Sequence, residues 1–134
     1  MRLLRSSLLA LAGLLALVLA AGTALAGTGD ADPGGGLVGR WLPADGAAAG
    51  RAFVEFAADG TWTGSDGCNR TRGTWELGPD GGFAATAGPS TMIGCENVPI
   101  ARWLADAARA EFDGATLVLR DAGGAETGRL VRAP

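Results

Sequence analysis

Phe53-Val54-Glu55-Phe56-Ala57-Ala58-Asp59-Gly60-Thr61-Trp62-Thr63 reads as two strands joined by a turn. Phe53 to Phe56 forms one strand. Asp59-Gly60 suits a tight hairpin, because both central residues of a type I′ turn need positive φ. Thr61-Trp62-Thr63 alternates, so Trp62 faces one side and the threonines the other. Towards the C-terminus, Trp75 and Leu77 point one way while Thr74 and Glu76 point to solvent. Gly78-Pro79-Asp80-Gly81-Gly82 is a turn, and Phe83 to Thr86 a short strand. Towards the N-terminus, Leu37-Val38 and Trp41-Leu42 predict a first strand, stopped by Pro43 and followed by a small-residue loop from Ala44 to Gly50. The chain ends as a hairpin, Thr116 to Arg120 and Arg129 to Arg132 about Gly123-Gly124.

The period changes once. Ile100, Trp103, Leu104, Ala107, Ala108 and Phe112 fall at helical spacing and predict one helix from Pro99 to Phe112. Asn97 fits its N-cap, Pro99 its first turn and Gly114 its C-terminal stop, with Arg102 and Asp106 paired one turn apart. Runs of short strands with one helix make the class α+β.

Before this domain, Arg2 and Arg5, an apolar run from Leu8 to Ala21, and Ala24-Leu25-Ala26 have the layout of a secretory signal peptide over residues 1–26. The apolar run is shorter than the roughly 20 residues that span a bilayer. No cysteine stands near the cleavage point for lipid attachment. The expectation is therefore an exported protein of the envelope or extracellular space, without stable membrane insertion after cleavage. Residues 27–36, GTGDADPGGG, read as a flexible linker, and 37–134 as one folded domain.

Cleavage takes away two arginines and no acids, so the net charge of −3 becomes −5. An acidic, lysine-free chain matches nucleic acid and anionic membranes poorly. It has no histidine, lysine or tyrosine, and so lacks the usual general base, the Schiff-base amine and the commonest metal ligand. The expectation is no catalytic residue, no metal and no cofactor. The Gly, Ala and Arg bias resembles that of a GC-rich bacterial genome.

Cys68 and Cys95 are the two thiols, and an even, minimal count in a small exported domain points to a disulfide between them. A nucleophilic role lacks a histidine to lower a thiol pKa, and a redox role lacks the C-x-x-C spacing. Trp41, Trp62, Trp75 and Trp103 could line an apolar pocket, although aromatic residues at such spacing more often fill a core. Asp66, Asp80 and Glu96 lack the spacing of a calcium loop and read as solvated turn residues.

Gly67-Cys68-Asn69-Arg70-Thr71-Arg72-Gly73-Thr74-Trp75, followed by Thr91-Met92-Ile93-Gly94-Cys95, resembles the paired elements of the META domain family, which includes HslJ-like heat-inducible envelope proteins. Gly67, Asn69, Gly73, Trp75 and Thr91 are the matching motif positions beside the cysteines. Ile93-Gly94 departs from the family's usual Met-Ala. The positions make physical sense: Gly67 and Gly73 would permit a sharp loop, Asn69 would cap backbone groups, and Trp75 would seal the core beside the cysteines. The resemblance implies a curved antiparallel sheet or partial barrel with the helix packed across an open end. It also implies a link to envelope stress without an agreed catalytic activity. The resulting expectation is a secreted, non-catalytic protein acting through contacts with an unknown protein partner. The alternatives are a carrier of a small apolar ligand and a secreted protease inhibitor.

Overall fold

Among the described residues, alternating polar and apolar side chains build eight antiparallel strands: β1 (Gly39–Pro43), β2 (Ala52–Phe56), β3 (Thr61–Asp66), β4 (Arg70–Leu77), β5 (Phe83–Ala85), β6 (Arg109–Asp113), β7 (Thr116–Arg120) and β8 (Glu126–Arg132). One helix, α1 (Ile100–Asp106), lies between β5 and β6. The computed structural model describes residues 33–45, 51–91, 94 and 98–134. The expected signal peptide, most of the linker, Cys95, Glu96 and Asn97 lie outside the described residues. Among the described residues no helix is long and apolar enough to cross a membrane.

The sheet order is β5-β4-β3-β2-β1-β8-β7-β6. Its two edges nearly meet. Phe83 N–H donates to the Ala108 carbonyl at 2.8 Å and Ala110 N–H to the Gly81 carbonyl at 3.0 Å, while Gly82 bridges Arg109. Each strand thus neighbours its sequence neighbours, and β8 returns to β1, making an up-and-down barrel that is almost closed. Near-closure leaves little unpaired strand edge; it fits the partial barrel that the resemblance implies and goes further than a curved sheet.

The interior is apolar among the described residues. Trp41, Val54, Phe56, Trp62, Leu117, Leu119 and Leu130 are fully buried. Ile100 and Leu104 of α1 join them, and α1 touches β2, β3, β5, β7 and β8, so it spans the barrel. Three buried indoles keep their N–H groups satisfied on backbone carbonyls: Trp41 on Leu37 (2.7 Å), Trp62 on Thr86 (2.8 Å), and Trp75 on Thr61 (2.9 Å) and Ala57 (3.1 Å). That satisfaction is what lets a polar N–H sit in a dry core.

The helix is shorter than its apolar spacing predicts. Ala107 is extended (φ −73°, ψ 136°) and ends it, and Arg109 to Phe112, expected in the helix, belong with Asp113 to β6. Two causes act together. Arg109, Glu111 and Asp113 alternate with Ala110 and Phe112, so the same residues also satisfy a period of two. β7 carries buried Leu117 and Leu119 and gains a five-residue partner in β6. On the outer face Glu111 pairs with Arg109 (3.1 Å) and Arg120 (3.4 Å). The Arg109 guanidinium above all, with Arg120 adding to it, holds the Glu111 carboxyl below its usual value against the opposing effect of burial. A seven-residue helix has no stability of its own to oppose this. Phe112, expected on the buried stripe, is 51% exposed and leans on Trp41. Gly114, expected as a helix stop, turns β6 into β7 with φ +60°.

Two smaller differences follow from local hydrogen bonds. Asp59-Gly60 is not a two-residue turn: Gly60 N–H donates to Ala57 and Ala57 N–H to Thr61, giving a longer loop in which the Asp59 carboxylate accepts from Thr61. The last part of the expected linker, Pro33–Gly36, is a short 3-10 turn. Arg132 fixes it by donating to the carbonyls of Gly36 (2.5 Å) and Val38 (2.8 Å) while lying 4.3 Å from the Trp41 ring.

Candidate functional site

The loop between β3 and β4 is organised by one carboxylate. β3 ends at Asp66, whose Oδ1 accepts from the amides of Cys68 (2.8 Å) and Asn69 (2.6 Å) and whose Oδ2 accepts from Asn69 Nδ2 (3.2 Å). Gly67 has φ +107°, a conformation that favours glycine, so the reversal fits in three residues. The Thr91 hydroxyl donates to Asn69 Oδ1 at 3.0 Å, and the Val98 amide donates to the Asp66 carbonyl at 3.0 Å. Asn69 is the buried polar residue among the described residues, and no buried side-chain nitrogen or oxygen among them lacks a hydrogen-bond partner. Burial works to raise the Asp66 carboxyl, but the Asn69 and Cys68 amides and the Asn69 side chain outweigh it and hold it below its ordinary value.

The structure therefore brings Gly67, Cys68, Asn69 and Thr91 together and adds Asp66, which the sequence alone reads as a solvated turn residue. Among the described residues no cysteine is free. The pairing of Cys68 with Cys95 falls on a residue outside the described ones. Asp80 is a turn residue as expected: the Gly82 amide, above all, holds its carboxyl below the usual value.

Gly73 and Trp75 belong elsewhere. Gly73 is not a loop glycine. It lies within β4 opposite Trp62, and a Cβ there would fall 1.8 Å from the Thr86 carbonyl oxygen and 2.7 Å from Trp62 Nε1. Its role is to admit a crossing backbone. Trp75 is not beside Cys68: its amide bonds to Gly60 at the far end of the β3–β4 hairpin, and its ring packs edge-on against Phe56 with centroids 5.3 Å apart. An antiparallel hairpin that turns at residues 66–69 carries residue 75 away from residue 68 along the strand. Trp103 is half-buried over Gly128 and borders an open depression with Glu126 to Arg129. The four indoles do not line one pocket among the described residues.

The outer face of β2, β3 and β4 differs from the rest of the surface. Register places Arg70, Ser65 and Phe53 in one row across the strands, and Arg72, Thr63, Glu55 and Arg40 in the next. Arg40 pairs with Glu55 at 2.9 Å and lies 4.1 Å above the Phe53 ring. Elsewhere arginines are engaged: Arg102 with Asp106, Arg109 and Arg120 with Glu111, Arg129 with Glu126 and Asp113, and Arg132 with backbone carbonyls. Arg51, Arg70 and Arg72 are exposed and make no ion pair among the described residues. Phe53, Thr63, Thr71, Arg70, Arg72 and Pro89 surround a depression of about 260 Å³ on this face. Sequence reasoning did not single it out, because whether an arginine is paired depends on strands far apart in the chain.

No match was found among curated proteins. Among solved structures, the chain is similar in fold to the crystal structure of a DUF4847 family protein from Bacteroides vulgatus, with a TM-score of 0.52 and 22% identity, covering 62% of this chain and 60% of that one. The META domain family matches residues 39–134. The match takes in all eight strands, the loop built on Asp66 and both elements of the resemblance, and the chain belongs to the META domain family.

Proposed function

We propose that this protein is an exported, non-catalytic domain of the envelope or extracellular space that acts by contacting another protein through the outer face of β2–β4. The observation that carries this reading is the concentration, on that one face, of arginines with no ion pair among the described residues and of a half-buried phenylalanine. The missing histidine, lysine and tyrosine support it. So does the direction of the displaced carboxyls: Asp59, Asp66, Asp80 and Glu111 are all held below their ordinary values, which suits structural acceptors rather than proton donors at neutral pH. A role in envelope stress is part of the proposal and rests on the family.

The test is a photo-crosslinking amino acid placed at Thr63, on the face, or at Ala84, on the exposed side of β5, in cells that export the protein. A protein adduct from position 63 and none from position 84 is the expected result. No adduct at 63 under any growth or stress condition, or equal adducts at both, rejects the reading.

We further propose that Cys68 and Cys95 are joined in the exported form, since Cys68 is not a free thiol. Intact mass should be lighter than the reduced chain by two hydrogens, with no alkylation before reduction. Two alkylatable thiols would remove the disulfide from the account.

A further inference from the structure

We infer that the partner surface recognised by the β2–β4 face is an extended acidic peptide segment with carboxylates at alternate residues. This rests on the reading above and names the partner's chemistry.

Arg70 and Arg72 stand two residues apart on one side of β4, both exposed and neither paired among the described residues. In a strand this separation is about 7 Å. An extended peptide repeats the same spacing, so carboxylates at positions i and i+2 meet the two guanidinium groups together. Each guanidinium offers a planar fork that fits a carboxylate with two hydrogen bonds. Arg51, exposed just before β2 and two residues from Phe53 in sequence, adds a third arginine with no ion pair among the described residues.

The depression between them supplies the remaining chemistry. Phe53 and Pro89 give apolar walls, and the exposed Thr63 hydroxyl can serve peptide groups, while the Thr71 hydroxyl donates to the Pro89 carbonyl. Arg40 does not compete for the ligand, because Glu55 already neutralises it and its plane lies on Phe53. The whole chain is acidic, so an acidic partner is repelled elsewhere and attracted here. That contrast favours one orientation of docking.

The test is a fluorescence-anisotropy titration of the purified protein with a labelled alternating Glu-Thr peptide, the Gln-Thr counterpart, polyphosphate, and vesicles containing phosphatidylglycerol. Glu-Thr is expected to bind at least tenfold more tightly than Gln-Thr and to weaken as salt rises. Arg72→Glu should weaken it roughly tenfold, and Arg70→Glu/Arg72→Glu further. Arg102→Glu changes net charge equally on the exposed side of α1 and should leave binding unchanged. Arg70→Gln/Arg72→Gln, with its thermal transition compared to the parent, separates lost binding from lost folding.

Equal binding of the two peptides, equal effects of Arg72→Glu and Arg102→Glu, or binding of polyphosphate or vesicles without the Glu-Thr peptide each overturn the inference. If the crosslink from position 63 persists in those cases, the contact face stands and only the acidic peptide falls. If the crosslink is absent as well, both fall.

Discussion

Gly73→Ala is expected to lower the unfolding free energy by about 3 kcal/mol and the melting temperature by roughly 12 °C or more. The reason is a crossing of backbones rather than a turn. Thr86 passes so close to β4 that a methyl group on Gly73 would sit 1.8 Å from its carbonyl oxygen, and that oxygen is the acceptor for Trp62 Nε1. Relieving the overlap moves either β4 or the Thr86 segment. Either movement breaks the indole hydrogen bond and leaves a donor unsatisfied in the core, where Trp62 is 1% exposed. Overpacking and the orphaned donor each contribute about 1 to 3 kcal/mol, and a domain of this size has only about 5 to 15 in total.

Gly35→Ala is the matched control. A Cβ there meets nothing within 4 Å, so its melting temperature should stay near that of the parent. Thermal unfolding followed by tryptophan emission reads both variants, and the Gly73 variant should also shift to the red as Trp62 meets water. A Gly73→Ala protein that melts with the parent would show that Thr86 does not cross at this point.

The same residues show what a sequence can and cannot disclose. The hairpins about Phe53–Thr63 and Thr116–Arg132 were legible because period two and turn glycines agree in both, with aromatic residues adding to the first. Arg109 to Phe112 was not, since its spacing suits a helix and a strand alike and the decision belongs to β7. Gly73 was legible as a special position but not for the right reason, because the backbone that crosses it comes from residue 86. Asp66 could have been found. An aspartate followed by Gly67 at a strand end, with amides two and three residues on, is a known local turn, and a solvated turn residue is how Asp66 reads until the Cys68 and Asn69 amides are seen to converge on its carboxylate. The arginine face was out of reach, since Arg51, Arg70 and Arg72 read like every other arginine until the acids near them are counted in space.

Asp66→Ala should cost about 3 kcal/mol, because it takes the acceptor from the Cys68 amide, the Asn69 amide and Asn69 Nδ2 at once. Asp66→Asn should cost less. One amide oxygen can still receive the two backbone N–H groups, but the new NH2 faces Asn69 Nδ2, donor against donor. The pH dependence separates charge from shape. The folded carboxyl titrates below its ordinary value, so the folded state binds the proton more weakly than the unfolded chain. The stabilisation from the ionised form is therefore complete above the unfolded pKa of about 3.9, falls as pH drops towards the folded value, and is gone below it. Denaturant unfolding of parent and Asp66→Asn, taken at neutral pH and in acid, cancels the other carboxyls in the difference. A gap that is constant near neutrality and closes in acid is the expected result. A gap that persists unchanged below both values would mean that the Asp66 loop is held by packing alone, and that its charge does not organise the start of β4 from which Arg70 and Arg72 project.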